Sequence, residues 1–188
     1  MRGLVRGAAA LALAMLLSAP AARAQAVFSL GGGATVPLSD YADVAKTGFN
    51  GLLAISFVPA SSPVGFQIDG MYQRLKFDDD AFDRSSQILQ GTANLVYRFS
   101  VSPETTFRPY IIGGGGIYNF KTVGGDDVSL PGEGDTSTDF GINAGAGFDI
   151  KAGGIGLFAE GRFHNVFGDG TSDAQFIPIT VGIRLGGN

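Results

Sequence analysis

Between Leu89 and Phe99 the chain changes character at every residue. Leu89, Gly91, Ala93, Leu95, Tyr97 and Phe99 form one set, and Gln90, Thr92, Asn94, Val96 and Arg98 the other. A strand sends successive side chains to opposite faces, so this segment reads as a strand with one apolar and one mostly polar face. Two architectures accept such a strand. A soluble sandwich or carrier barrel turns the apolar face inward, whereas a transmembrane barrel turns it toward lipid and keeps the polar face in the lumen. Tyr97 and Phe99 close the apolar face with an aromatic pair, the position of an interfacial girdle, and favour the second arrangement.

The start of the chain reads as an export signal. Arg2 and Arg6 form a basic end, Ala8 to Leu17 an apolar core, and Ala22-Arg23-Ala24 a small-x-small cleavage site. The apolar run falls short of the ~18 residues of a spanning helix. Residues 1–24 are therefore expected to be a signal peptide and residues 25–188 the barrel domain, starting at Gln25. Of the 13 Lys and Arg, three (Arg2, Arg6, Arg23) fall in this leader, leaving 10 against 17 acidic residues and a mature net charge of about −7. That charge argues against nucleic acid as a partner. The absence of Cys excludes a disulfide framework, a thiolate metal site and lipoprotein-type modification. No second apolar run is long enough for a membrane helix, yet mean hydropathy is positive (+0.21). An exported chain of this kind must bury its strands or face lipid with them.

The mature sequence offers eight strand candidates, the smallest common size for an outer-membrane barrel. They run over Val27–Leu38, Phe49–Val58, from near Val64, Leu89–Phe99, Phe107–Phe120, Phe140–Ile150, from Ile155, and Phe176–Leu185. The sixth sets Phe140, Ile142, Ala144, Ala146, Phe148 and Ile150 against Gly141, Asn143, Gly145, Gly147 and Asp149. In the fifth, Gly113 to Gly116 blur the alternation. Long, polar, acidic connections (39–46, 77–85, 121–139, 168–174) alternate with short turns (59–63, 100–106, 151–154). This predicts long loops outside the cell and both termini in the periplasm. Counted along the strands, Phe28, Phe57, Phe66, Phe99, Phe107 and Phe148 fall near the periplasmic rim, and Phe49, Tyr72, Phe140 and Phe163 toward the other.

With its leader, the stretch Phe107-Arg108-Pro109-Tyr110 entering a Gly-rich strand, and a closing hairpin from Phe158-Ala159-Glu160-Gly161-Arg162-Phe163 to Ile183-Arg184-Leu185, the chain resembles the small outer-membrane β-barrels of the OmpA/OmpX-like kind. The resemblance implies an all-β, eight-stranded antiparallel up-and-down transmembrane barrel. Its implied partners are outer-membrane lipids, lipopolysaccharide and the barrel-insertion machinery. Such barrels usually end on an aromatic residue, and this chain departs from them in ending Leu185-Gly186-Gly187-Asn188. No peptidoglycan-binding domain is expected to follow.

Few residues carry chemistry. Gly113 to Gly116 lack the Gly-Lys-Ser/Thr of a phosphate loop and read instead as a place of strong bending or close packing beneath Tyr110 and Tyr118. Asp78, Asp79, Asp80, Asp83, Asp126, Asp127, Glu133 and Asp135 could hold a divalent cation bridging to lipopolysaccharide, but no EF-hand spacing appears and solvated charge accounts for them. His164 is the single imidazole. Outer-membrane enzymes that modify lipid A pair a His with a nearby Ser and a carboxylate; here Asn165, Val166 and Phe167 follow it, with no Ser two residues on. The reading is therefore a monomeric, non-catalytic barrel with a structural or surface-interaction role and no cofactor or metal. A small porin or apolar-solute channel, a lipid A-modifying enzyme and a soluble lipocalin-like carrier are the alternatives. The inward faces carry Asp69, Arg98, Arg108, Asp149, Glu160, Arg162 and Arg184. In a lumen only wide enough for side chains these must pair, with Glu160 expected at the centre of a basic cluster and Asp69 and Asp149 as further neutralising groups.

Overall fold

In the computed structural model, which describes residues 24–59, 62–77, 85–102, 105–123, 136–152, 154–168 and 173–186, the alternating segments become eight strands. They are β1 (Ala24–Leu38), β2 (Gly48–Pro59), β3 (Val64–Lys76), β4 (Ser85–Arg98), β5 (Phe107–Val123), β6 (Thr136–Ala152), β7 (Ile155–Phe167) and β8 (Ala174–Leu185), with a one-turn helix α1 (Ser39–Ala42) after β1. Each strand pairs antiparallel with the next, and β1 pairs with β8 to close the sheet. Closure removes the sheet edges and gives backbone groups partners within the ladder, the condition for crossing hydrocarbon with strands. The shortest strands have 12 residues, more than the ~9–11 that span a bilayer. Among the described residues no helix is long and apolar enough to cross a membrane. The leader read over residues 1–24 lies, apart from Ala24, outside the described residues, as do the acidic residues of 78–83 and 126–135.

The two faces are inverted relative to a soluble protein. Leu53, Leu95 and Ile117 are each more than 60% exposed on the outside. Thr35, Gln67, Gln73, Asn94 and Thr180 are buried inside. The lipocalin-like alternative, which needs the apolar face within, is thereby overturned. Exposed rings gather toward both ends: Tyr97 against Phe99 and Phe107 against Phe148 at one, Phe49 against Tyr72 and Phe140 stacked on Phe167 at the other. The strand ends that bound the connections 39–47, 77–84, 124–135 and 168–173 lie at the second end, and those that bound 60–63, 99–106 and 153–154 at the first. One expectation needs correcting, because the 99–106 connection is as long as 77–84.

An eight-stranded lumen holds little more than its own side chains, so large residues must face small ones. The Phe158 ring lies against Gly31 and Gly182, where a Cβ would come within 2.9 and 2.7 Å of ring carbons. Tyr110 lies on Gly147 and Tyr118 on Gly141 in the same way, at 2.5 and 2.7 Å. The close packing read from Gly113–Gly116 takes a particular form. Gly114 and Gly116 meet the β4 carbonyls of Ala93 and Gly91, while the two tyrosines rest on β6 instead of on their own strand.

These contacts separate two kinds of glycine. Gly182→Ala places a methyl against the Leu30 carbonyl, Gly31 Cα and the Phe158 ring, and should lower stability by about 1–3 kcal/mol. Gly91→Ala, on the outer face with nothing within 4 Å, should change it by less than about 0.5 kcal/mol. Urea unfolding of the barrel folded into vesicles, followed by loss of the fast-migrating unheated form on electrophoresis, measures both. Equal effects would mean that the lumen is looser than its packing.

Candidate functional site: the charged lumen

Seven charged residues were expected on the inner face, and the structure brings six of them into two linked groups. The first lies at mid-height. Asp69 on β3 accepts from Gln67 Nε2 (3.0 Å), Thr92 Oγ1 (2.7 Å), Asn94 Nδ2 (2.9 Å) and Arg162 Nη1 (2.9 Å). Arg162 is 1% exposed and also pairs through Nε with Glu160. Asn143 on β6 extends the group by donating to Asn94 Oδ1 at 2.9 Å. Each of these residues has inward parity on its own strand, and the ladder β3–β4–β5–β6–β7 carries them around the wall to one level.

The second group lies nearer the short-turn end. Arg184 on β8 meets Asp149 on β6 at 2.7 Å, and Arg98 Nε on β4 approaches the same carboxylate at 4.0 Å. Tyr110 joins the two groups, since its hydroxyl donates to Glu160 Oε2 at 2.8 Å and accepts from Arg184 Nη2 at 3.0 Å. The Arg184 guanidinium also lies over the Tyr110 and Phe158 rings, 4.9 and 4.8 Å from their centroids. Cations and rings in a desolvated setting attract appreciably.

Two expectations change. Glu160 is not the centre of a basic cluster: Arg162 is its one ionic partner among the described residues, and Asp69 gathers more donors. The reason is register. Glu160 stands opposite Thr180, whereas Arg184 stands opposite Gly156, four residues farther along β8 toward the short-turn end. Arg108 is the second change, being exposed at the mouth opposite Asp149 and outside the paired network. Sequence reasoning also passed over Tyr110 as a connector and Gln67, Thr92, Asn94 and Asn143 as a shell for Asp69. Their inward parity was the available signal.

Toward the other end the polar interior gives way to an apolar stopper of Ala45, Leu75, Ile88, Tyr118, Val166 and Phe176. The 39–47 connection folds onto it, with Ala45 bridging Phe77 and the Lys46 amide donating to the Lys76 carbonyl at 2.7 Å. Tyr41 of α1 donates to Ser86 Oγ at 3.1 Å, and burial holds its phenol above the usual range. His164 is fully buried here, 2.8 Å from the Tyr118 hydroxyl through Nδ1 and stacked on Phe176 at 5.1 Å. Its ring faces the interior, away from the lipid outside the wall. Among the described residues no group of three or more His, Asp or Glu could hold a metal ion.

Removing one partner of a buried ion pair costs several kcal/mol, because the other charge stays behind. Arg162→Leu strands both Asp69 and Glu160 and should cost about 3–5 kcal/mol. Glu160→Gln leaves Arg162 paired with Asp69 and should cost less, about 2 kcal/mol. Unfolding midpoints in detergent read the order, and a larger loss for Glu160→Gln would contradict the shared-arginine arrangement.

A sequence model of the family described as outer membrane protein β-barrel domain matches residues 9–185. Among solved structures, Neisserial surface protein A is similar with a TM-score of 0.59 at 16% identity, covering 86% of this chain and 96% of that one. A major outer membrane protein from Thermus thermophilus gives 0.56 at 13% identity, covering 86% and 99%. Ail, the attachment invasion locus protein of Yersinia pestis, gives 0.51 at 15% identity, covering 86% and 99%. At such identities the likeness is one of fold. No curated protein sequence matches the chain.

Proposed function

Because the chain belongs to the outer membrane protein β-barrel family and so resides in the outer membrane, we propose that it is a non-conducting, non-catalytic barrel whose role is structural or one of surface interaction. The observation that carries this reading is the filled lumen. A solute on the axis would meet the Tyr118–Phe176–His164 stopper and then the Asp69–Arg162–Glu160 group, in both of which the larger side chains are fully or almost fully buried. Opening a path would break buried ion pairs, each worth several kcal/mol to separate. The position of His164 supports the non-catalytic part, since lipid A would lie outside the wall that the imidazole faces away from.

In this reading the barrel is a monomeric anchor seated among outer-membrane lipids and lipopolysaccharide, delivered by the insertion machinery after removal of residues 1–24. Interaction with the surroundings falls to the 39–47, 77–84, 124–135 and 168–173 connections, which face outward from the cell. The 124–135 connection is the longest of them and the natural point of engagement.

Two measurements test the proposal. In planar bilayers the purified protein should give no steady conductance, and large stable single-channel steps would move it to the small porins. Protease added to intact cells should cut between Lys121 and Asp139 before any strand is lost. Full protection in cells with an accessible surface would reverse the assigned orientation.

A further inference from the structure

At the short-turn end the lumen opens into a cavity of about 210 Å³ whose lining, among the described residues, carries Arg98, Arg108, Lys151 and Arg184 but one carboxylate, Asp149. The cations come from four strands, β4, β5, β6 and β8, so they converge here only because the barrel is closed. Asp149 is already engaged by Arg184 at 2.7 Å and approached by Arg98 at 4.0 Å. Glu160, the next carboxylate inward, is occupied by Arg162 and the Tyr110 hydroxyl. Arg98 is 9% exposed, and its Nη1 has no hydrogen-bond partner. Arg184 Nε is buried and unpartnered in the same way.

Water could satisfy these donors but could not offset the charge. Four cations around one carboxylate repel one another, and a buried guanidinium lacking part of its hydrogen bonding is costly. An oxyanion meets both needs, since the guanidinium fork matches carboxylate and phosphate geometry. We propose that this mouth is a binding site for a small free oxyanion, a carboxylate or a phosphate. The ligand enters from the aqueous side, because Arg98, Arg108, Asp149 and Arg184 have inward parity on their strands, within the ring and not on the lipid face. Arg108, exposed at the entrance, supplies the first contact; Arg98 and Arg184 form the floor; Asp149 is the competitor that keeps the floor in place and weakens the site. The proposal goes beyond the role of the long connections and does not depend on it.

The test is calorimetric titration of the folded protein in a neutral maltoside detergent, with inorganic phosphate and acetate added in separate runs at constant ionic strength. Saturable binding of either anion is expected. Arg108→Ala should weaken it about tenfold or more, the loss of one charge-assisted contact, while leaving the unheated gel mobility unchanged. Asp149→Asn, where it folds, should strengthen binding by removing the competing carboxylate, which a merely structural role for these arginines would not produce. The absence of saturable binding for both anions, or binding that Arg108→Ala leaves unchanged, overturns the proposal. So does binding only of a short-chain phosphatidylglycerol in mixed micelles with both free anions inert, because the site would then belong to the lipid surface.

Discussion

Backbone amides and carbonyls have no partner in hydrocarbon other than each other, and in this chain that requirement is met by the pairing of β1 with β8. The consequences run inward. Closing a sheet after eight strands fixes a lumen about as wide as the side chains that fill it, so the interior has no bulk solvent to accept a stray charge or an ill-fitting ring. The outer face meets only the loose condition of being apolar. Every inward position must answer to its neighbours in volume, hydrogen bonding and charge together, and the buried glycines, amides and ion pairs follow from closure more than from local preference.

Volume is the first of these conditions. Phe158 on β7 and Tyr110 and Tyr118 on β5 each find glycine on a strand they face: Gly31 and Gly182, Gly147, and Gly141. Gly114 and Gly116 answer a different contact, since a Cβ at either would come within 2.1 Å of a β4 carbonyl oxygen. A glycine on the outer face such as Gly91, with open space beside it, is free of either constraint. The high glycine content of the chain thus divides by face into positions that geometry demands and positions that it tolerates.

The architecture was legible in the sequence because a period of two survives without knowledge of any partner strand. Leu89 to Phe99 announces its two faces alone, and the chain-wide repetition of that pattern, with turns at regular intervals, leaves few topologies open. The inward charges were legible for the same reason. So was the Glu160–Arg162 pair, two residues apart on one face of a strand, but the pairs across strands were not, because they depend on register between strands distant in sequence, and register is fixed only when the ring closes. Arg184 appears next to Glu160 when β7 and β8 are merely called neighbours, but stands opposite Gly156 once they are aligned. Asp69 and Arg162 are separated by 93 residues and meet across the lumen. That meeting made Asp69 the acceptor at the centre, a role that nothing in its own strand could assign.

Charge gives the final step. The interior groups balance, with Asp69, Asp149 and Glu160 set against Arg98, Arg162 and Arg184. The balance holds only across both groups, since the mid-height group sets two carboxylates against Arg162 alone and reaches Arg184 through Tyr110, and neither lipid nor the apolar stopper at the long-connection end offers another counter-ion. Among the described residues the surplus cations, Arg108 and Lys151, stand instead at the short-turn mouth, where the lumen opens to water. A closed barrel with one sealed and one open end can hold excess charge only at the open end. The same asymmetry that fills the lumen at one end therefore concentrates the unneutralised chemistry of the interior where a solute can reach it.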